Sequence, residues 1–144
     1  MTTLISAAVA AVVAALNTPT PVAPQVARVR LRPLATGQNT AVVVRPQHSQ
    51  VQEILVNGLP ASWATTIAVE CYARTSAATT PDIAVDSLVE SVYARLMAEP
   101  TLGGVVRSLR LDNAAYDFDA DGEQATCVAL TFIALHQAAG TTIL

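Results

Sequence analysis

The twelve residues Trp63-Ala-Thr-Thr-Ile-Ala-Val-Glu-Cys-Tyr-Ala-Arg74 decide the fold of this chain. Their alternation places Trp63, Thr65, Ile67, Val69 and Cys71 on one face and Thr66, Glu70, Tyr72 and Arg74 on the other. That period of two, rich in β-branched and aromatic residues, predicts a long strand with an apolar face that other elements must cover.

On its C-terminal side the sequence switches to a helical period. Thr80 can cap a helix, Pro81 fits its first position and Asp82 suits the positive end of its dipole. Val85, Leu88, Val89, Val92 and Leu96 form the apolar stripe, while Asp82, Asp86 and Glu90 recur every fourth residue on another side. Glu99-Pro100 closes the helix. After the Gly103-Gly104 turn, a strand is expected from Val105 to Leu111, running on with a bulge to about Phe118. Asp121-Gly122 turns the chain, and Thr126 to Gln137 runs back with apolar residues in both alternating sets, as in a strand covered on both sides or central to its sheet.

On the N-terminal side, Asn57-Gly58 reads as a turn, preceded by a strand over Val51–Val56 and a short buried strand, Ala41–Val44, stopped by Pro46. Pro33 to Thr40 is a loop. Val26 to Arg32 alternates, with Ala27, Val29 and Leu31 facing one way and Arg28, Arg30 and Arg32 the other. An extended connector, Asn17 to Pro24, follows an Ala-rich helix over Leu4–Leu16 capped by Thr2 or Thr3. That helix has no Lys or Arg before it to make a signal peptide and is too short to cross a bilayer. The expectation is an α+β fold, a mainly antiparallel sheet packed by two helices, in a single domain over residues 1–144. There is no internal repeat and no linker long enough to divide it.

Composition restricts function. Charged residues are 13% of the 144, against about a quarter in an ordinary domain, while hydrophobic residues are 52%. So thin a charge cover suits a soluble protein whose surface is largely covered by neighbours. The net charge of −3 argues against nucleic acid as a principal partner. All eight basic residues are Arg, which holds fixed bidentate contacts with carboxylates; a high-GC genome gives the same bias. The two cysteines, Cys71 and Cys127, lie in apolar strands and read as buried free thiols of a reducing compartment.

No catalytic, metal or cofactor site emerges. Asp117-Phe-Asp-Ala-Asp-Gly-Glu123 begins like a calcium loop, but Val128 stands where the twelfth-position Glu belongs, and an Asp-Gly hairpin accounts for the run. His48 and His136 have no partner at metal-ligand spacing, and no Gly-x-Ser-x-Gly elbow occurs. A pairing of either histidine with Cys71 or Cys127 has nothing in the sequence to support it. Gly103-Gly104 follows a helix and precedes a strand, the wrong order for a phosphate loop. The row Arg28, Arg30, Arg32 stands out because adjacent like charges repel unless compensated. Either it is a solvated face, or it meets carboxylates within or between subunits, with Asp82, Asp86, Glu90, Asp117, Asp119, Asp121 and Glu123 as candidate interface partners.

The element order, with Glu70-Cys-Tyr-Ala-Arg74, Thr80-Pro-Asp82, Asp86-Ser-Leu-Val-Glu-Ser-Val-Tyr93, Thr101-Leu-Gly-Gly104 and the acidic hairpin Tyr116 to Glu123, resembles the tail terminator (minor tail protein U-like) family of long-tailed bacteriophages. The resemblance covers most of the chain, and Leu102-Gly103-Gly104 followed by the acidic hairpin is its most distinctive part. It implies a non-enzymatic virion protein without cofactor, six copies of which form a ring on the finished tail tube. The ring ends tube polymerisation and offers a docking surface to the head-side connector. The implied partners are other copies of the chain, the tail tube protein and the connector, with genome DNA passing through the central hole and no membrane. The implied location is the head-proximal end of the virion tail, after assembly in the host cytoplasm. A neck or head-completion protein of the connector, and a small oligomeric enzyme with an interface site using His48 or His136, are the other readings. The sparse charge departs from the acidic lining usual in such a channel. Calorimetric titration with calcium is expected to show no micromolar binding; such binding would overturn the hairpin reading of Asp117 to Glu123.

Overall fold

A computed structural model describes residues 3–29, 39–54, 61–74, 80–120 and 125–138. The elements run α1 (Leu4–Asn17), β1 (Val26–Arg28), β2 (Thr40–Ile54), β3 (Ala61–Arg74), α2 (Pro81–Met97), β4 (Ser108–Ala120) and β5 (Ala125–Ala138). They form an α+β fold: one five-stranded sheet in the order β1-β2-β3-β5-β4, with both helices packed on one face. All pairings are antiparallel except β1 with β2.

The decisive strand behaves as its alternation demands. Ile67, Val69 and Cys71 of β3 enter the core beside Val128, Leu130 and Phe132 of β5. Val42 and Val44 of β2 and Leu109 of β4 extend this layer, and Val9, Val12, Leu16, Val85, Val92 and Leu96 cover it from the helices. Full burial of each such side chain stabilises by about 1.5–3 kcal/mol, and the cluster spans all four long elements of the sheet. β5 is paired on both sides, between β3 and β4, so it is an interior strand of the sheet.

Three boundaries differ from expectation. β2 runs through Pro46 as one strand, because a register shift between Pro46 and His48 accommodates the missing donor. β1 pairs β2 only over Val42–Val44, so Pro46 sits beyond that pairing, at a sheet edge where proline is tolerated. β4 begins at Ser108 rather than Val105, because Leu102, Gly103 and Gly104 all adopt left-handed φ values (51°, 70° and 89°) and turn the chain through Val105. β1 stops at Arg28, because Val29 takes φ 47°, a costly position for a β-branched residue that breaks the alternation. Arg28 lies on the helix side of the sheet, and its Nη2 donates to Ser6 Oγ of α1 at 2.8 Å. Of the expected row Arg28, Arg30 and Arg32, the described residues include Arg28 alone; Arg30 and Arg32 lie outside them.

α1 is capped as expected, the Thr3 hydroxyl accepting from the Ser6 amide at 3.1 Å. Its other end is held by α2. Arg95 Nη1 donates to the carbonyls of Thr18 (2.7 Å), Thr20 (2.8 Å) and, more weakly, Ala15 (3.3 Å). These carbonyls have no helical partner, and a cation at a helix C-terminus is favoured by its dipole. Replacing Arg95 with Met keeps the stem but strands the carbonyls; it is expected to lower unfolding stability by about 1–3 kcal/mol in denaturant titration. Wild-type stability in that variant would show the guanidinium to be idle.

Candidate functional site

The two ends of the sheet differ in chemistry. At the β4 end, Tyr116 and Phe118 stand 60% and 53% exposed with ring centroids 5.9 Å apart. Ile83 of α2 is 64% exposed, and Tyr116 and Ile83 line one shallow depression with Val89, Asp82 and Asp86. Large apolar side chains are normally scattered when exposed; here they are gathered around two carboxylates. The Asp82 carboxyl is held below the usual range by the Thr80 hydroxyl and by the amides of Asp82 and Ile83. Thr80 accordingly makes no side-chain bond to the helix amides, although it holds the cap position.

The sequence-predicted site residues divide between these ends. Asp82 and Asp86 lie in the aromatic depression, and Glu90 is exposed one helical turn further on. Asp117 is exposed on β4 between the two aromatic residues. Asp119 belongs to β4, its side chain outside what is described; Asp121 and Glu123 also lie outside the described residues. Arg28 is at the opposite edge, on β1. Within one subunit the arginine edge lies at β1, whereas the Asp82–Asp86 depression opens beside Tyr116 of β4 and Val128 of β5.

The sheet face away from the helices carries a different set. No described helix lies on it, and it holds an open groove of about 670 Å³ lined by His48, Thr66, Arg110, Asp112 and Thr131, among others. Its charges are matched locally: Arg45 Nε donates to Glu70 Oε1 at 2.6 Å, and Arg110 lies 3.9 Å from Asp112. At the far end of this face Ala41, Val43, Tyr72, Ala125 and Cys127 form a second, small buried cluster.

The histidines fall on opposite faces. His48 Nε2 lies 3.3 Å from Thr66 Oγ1 on the groove side. His136 is buried on the helix side, with Nε2 2.6 Å from Thr65 Oγ1, which is 2.9 Å from Ser49 Oγ. The tautomer that leaves no unpaired hydrogen at Nδ1 has Nε2–H donating to Thr65, whose hydroxyl then donates to Ser49. His136 Nδ1 and the neighbouring Trp63 Nε1 find no partner among the described residues. Cys71 and Cys127 face opposite sides of the sheet, so they do not pair. Strand rise puts them about 16 Å or more from either histidine, too far for a Cys–His couple. Burial pushes the Cys71 thiol up to about 12 and Cys127 to about 11, the opposite of an activated nucleophile.

Sequence reasoning missed the aromatic patch and the Ser49–Thr65–His136 chain. Ile83, lone among acids at the helix start, and the Tyr116/Phe118 pair were the available signal for the patch. The hydrogen-bond chain joins three strands and had none.

No family model matches the chain, and no curated protein matches it. Among solved structures it is similar to a chain described as "Virion of native gene transfer agent (GTA) particle". The identity is 10%, over 90% of this chain and 84% of that one, with a TM-score of 0.41. No helix among the described residues is long and apolar enough to cross a membrane.

Burial holds the His136 imidazole below its ordinary value of 6.5, so the unfolded chain takes up a proton that the folded chain refuses. Its contribution is intact above the unfolded value and is lost as pH falls below it. Chemical denaturation between about pH 7 and pH 5 is expected to show stability declining, and His136→Asn to flatten that decline. An equal slope in the variant would exonerate this residue.

Proposed function

We propose that this chain is a structural protein of the tail-terminator type, six copies of which form a ring that caps a phage tail tube. In this role it stops tube growth and docks the head-side connector, with the genome passing through the lumen. The observation that carries the reading is the one-sided build of the fold. Two helices cover one face of a five-stranded sheet, while the described residues leave the other face and both lateral edges to be met by other subunits. The elements on which the resemblance rests have counterparts in the fold: the N-terminal helix, the strand ending at Arg28, the long strand ending at Arg74, the helix opened by Pro81, the Leu102-Gly103-Gly104 turn, and the paired strands β4 and β5.

The internal chemistry supports contact rather than turnover. Among the described residues no three metal-ligating side chains converge, the cysteines are buried with raised pKa values, and each histidine is engaged with a threonine. The thin charge cover fits a surface made for neighbours.

Electron microscopy of the purified protein, alone and added to polymerising tail tube protein, tests the role. Six-fold rings, and tubes that stop growing with a ring at one end, are expected. A compact dimer or trimer that leaves tube growth unchanged would sink the proposal.

A further inference from the structure

Two exposed features at opposite edges of the sheet have chemistries that complement each other. At the β4 edge, Tyr116, Phe118 and Ile83 form an apolar patch rimmed by Asp82 and Asp86. At the β1 edge, Arg28 ends the strand, and Val29 stands 57% exposed in a left-handed conformation that a valine adopts only at a cost. Arg30 and Arg32 follow in the sequence, so three of the eight basic residues fall within five positions.

Register fixes the relative heights of these features, with Arg28 two residues along from the row of Tyr116. Following paired residues across the sheet, Val26, Val42, Cys71, Val128 and Tyr116 form one lateral row. Arg28, Val44, Val69, Leu130 and Ala114 form the row two residues along. Both features also belong to the helix side: Arg28 bonds Ser6 of α1, and Tyr116 shares its depression with α2. A second copy displaced sideways along the sheet, and by about two residues (roughly 7 Å) along the strands, would bring its Arg28 edge against the aromatic patch.

We propose that the chain binds a second copy of itself head to tail, the Ile83–Tyr116–Phe118 patch of one copy receiving the Arg28–Val29 edge of the next. Val29 packs on the aromatic rings and Ile83, while the Arg28 guanidinium meets Asp82 and Asp86 and stacks on Tyr116. Such an anchor, apolar at its centre with charges at its rim, is the usual composition of a binding hot spot. The two surfaces lie on opposite edges, so the contact is heterologous: a bound pair keeps one free patch and one free edge, and repetition closes a ring or extends a filament. This deepens the ring reading above, on which its biological setting rests, although the contact itself requires only two copies.

Complementation between variants tests it. Tyr116→Ser/Phe118→Ser removes the patch and keeps the edge; Arg28→Glu does the reverse. All three changes are at exposed positions, and circular dichroism checks that each variant is folded. In sedimentation velocity the wild type is expected to associate beyond a dimer, each variant to be monomeric, and an equimolar mixture to stop at a dimer through its one intact contact. Asp86→Arg, on the helix surface, is expected to weaken wild-type association about tenfold by turning a rim attraction into a repulsion. A monomeric wild type, variants that assemble normally, or a mixture that stays monomeric would overturn the proposal. Rings that persist in both variants would defeat this contact and leave the ring reading standing. Head-to-tail chains that never close would do the reverse.

Discussion

Pairing of β3 with β5 along their full length controls everything else in the molecule. It joins fourteen residues of one strand to fourteen of the other without a register shift, while β2 and β4, which flank the pair, each carry two. Because side chains alternate, a slip of one residue would carry Ile67, Val69 and Cys71 out of the core and bring Ala68, Glu70 and Tyr72 in. The irregularities are confined to the outer strands, where bulges and Pro46 can be absorbed without disturbing the core layer. The same uninterrupted register fixes the heights of the β1 and β4 edges relative to each other, so the two-residue offset between Arg28 and Tyr116 follows from the pair at the centre.

Two helices on one face impose a second constraint. Each offers a single apolar stripe, and both stripes are spent on the same sheet face. Arg95 joins the helices by holding the carbonyls that follow α1. The protein thereby gains a rigid helical layer on one side and leaves a polar groove on the other. Surface left in that state is available for contacts between molecules, and its local charge pairing makes it nearly neutral, which suits a flat contact more than electrostatic capture of a polyanion.

Where titratable groups are buried they are kept neutral: the thiols by burial, and the His136 imidazole by burial beside a threonine. The left-handed stretch at Leu102 to Gly104 redirects the chain between α2 and β4. That at Val29 instead ends an edge strand with an apolar side chain in solvent, which is where strain points to a partner.

Element types, the two faces of β3, the stripe of α2, the central position of β5 and the α+β class were all legible in the chain, because period and capping residues act over a few positions. The boundaries that moved did so for tertiary reasons. Pro46 ends a strand by local rule, yet a bulge at a free edge keeps β2 intact, and Val29 interrupts an alternation that looked continuous to Arg32. Of the candidate interface residues, the acids of α2 were named from their spacing alone. The placing of Asp82 and Asp86 beside Tyr116, on the far side of the sheet's centre from Arg28, depended on strand order and register. Sequence periodicity says which way a side chain points from its own element; only the pairing of distant strands decides what it faces.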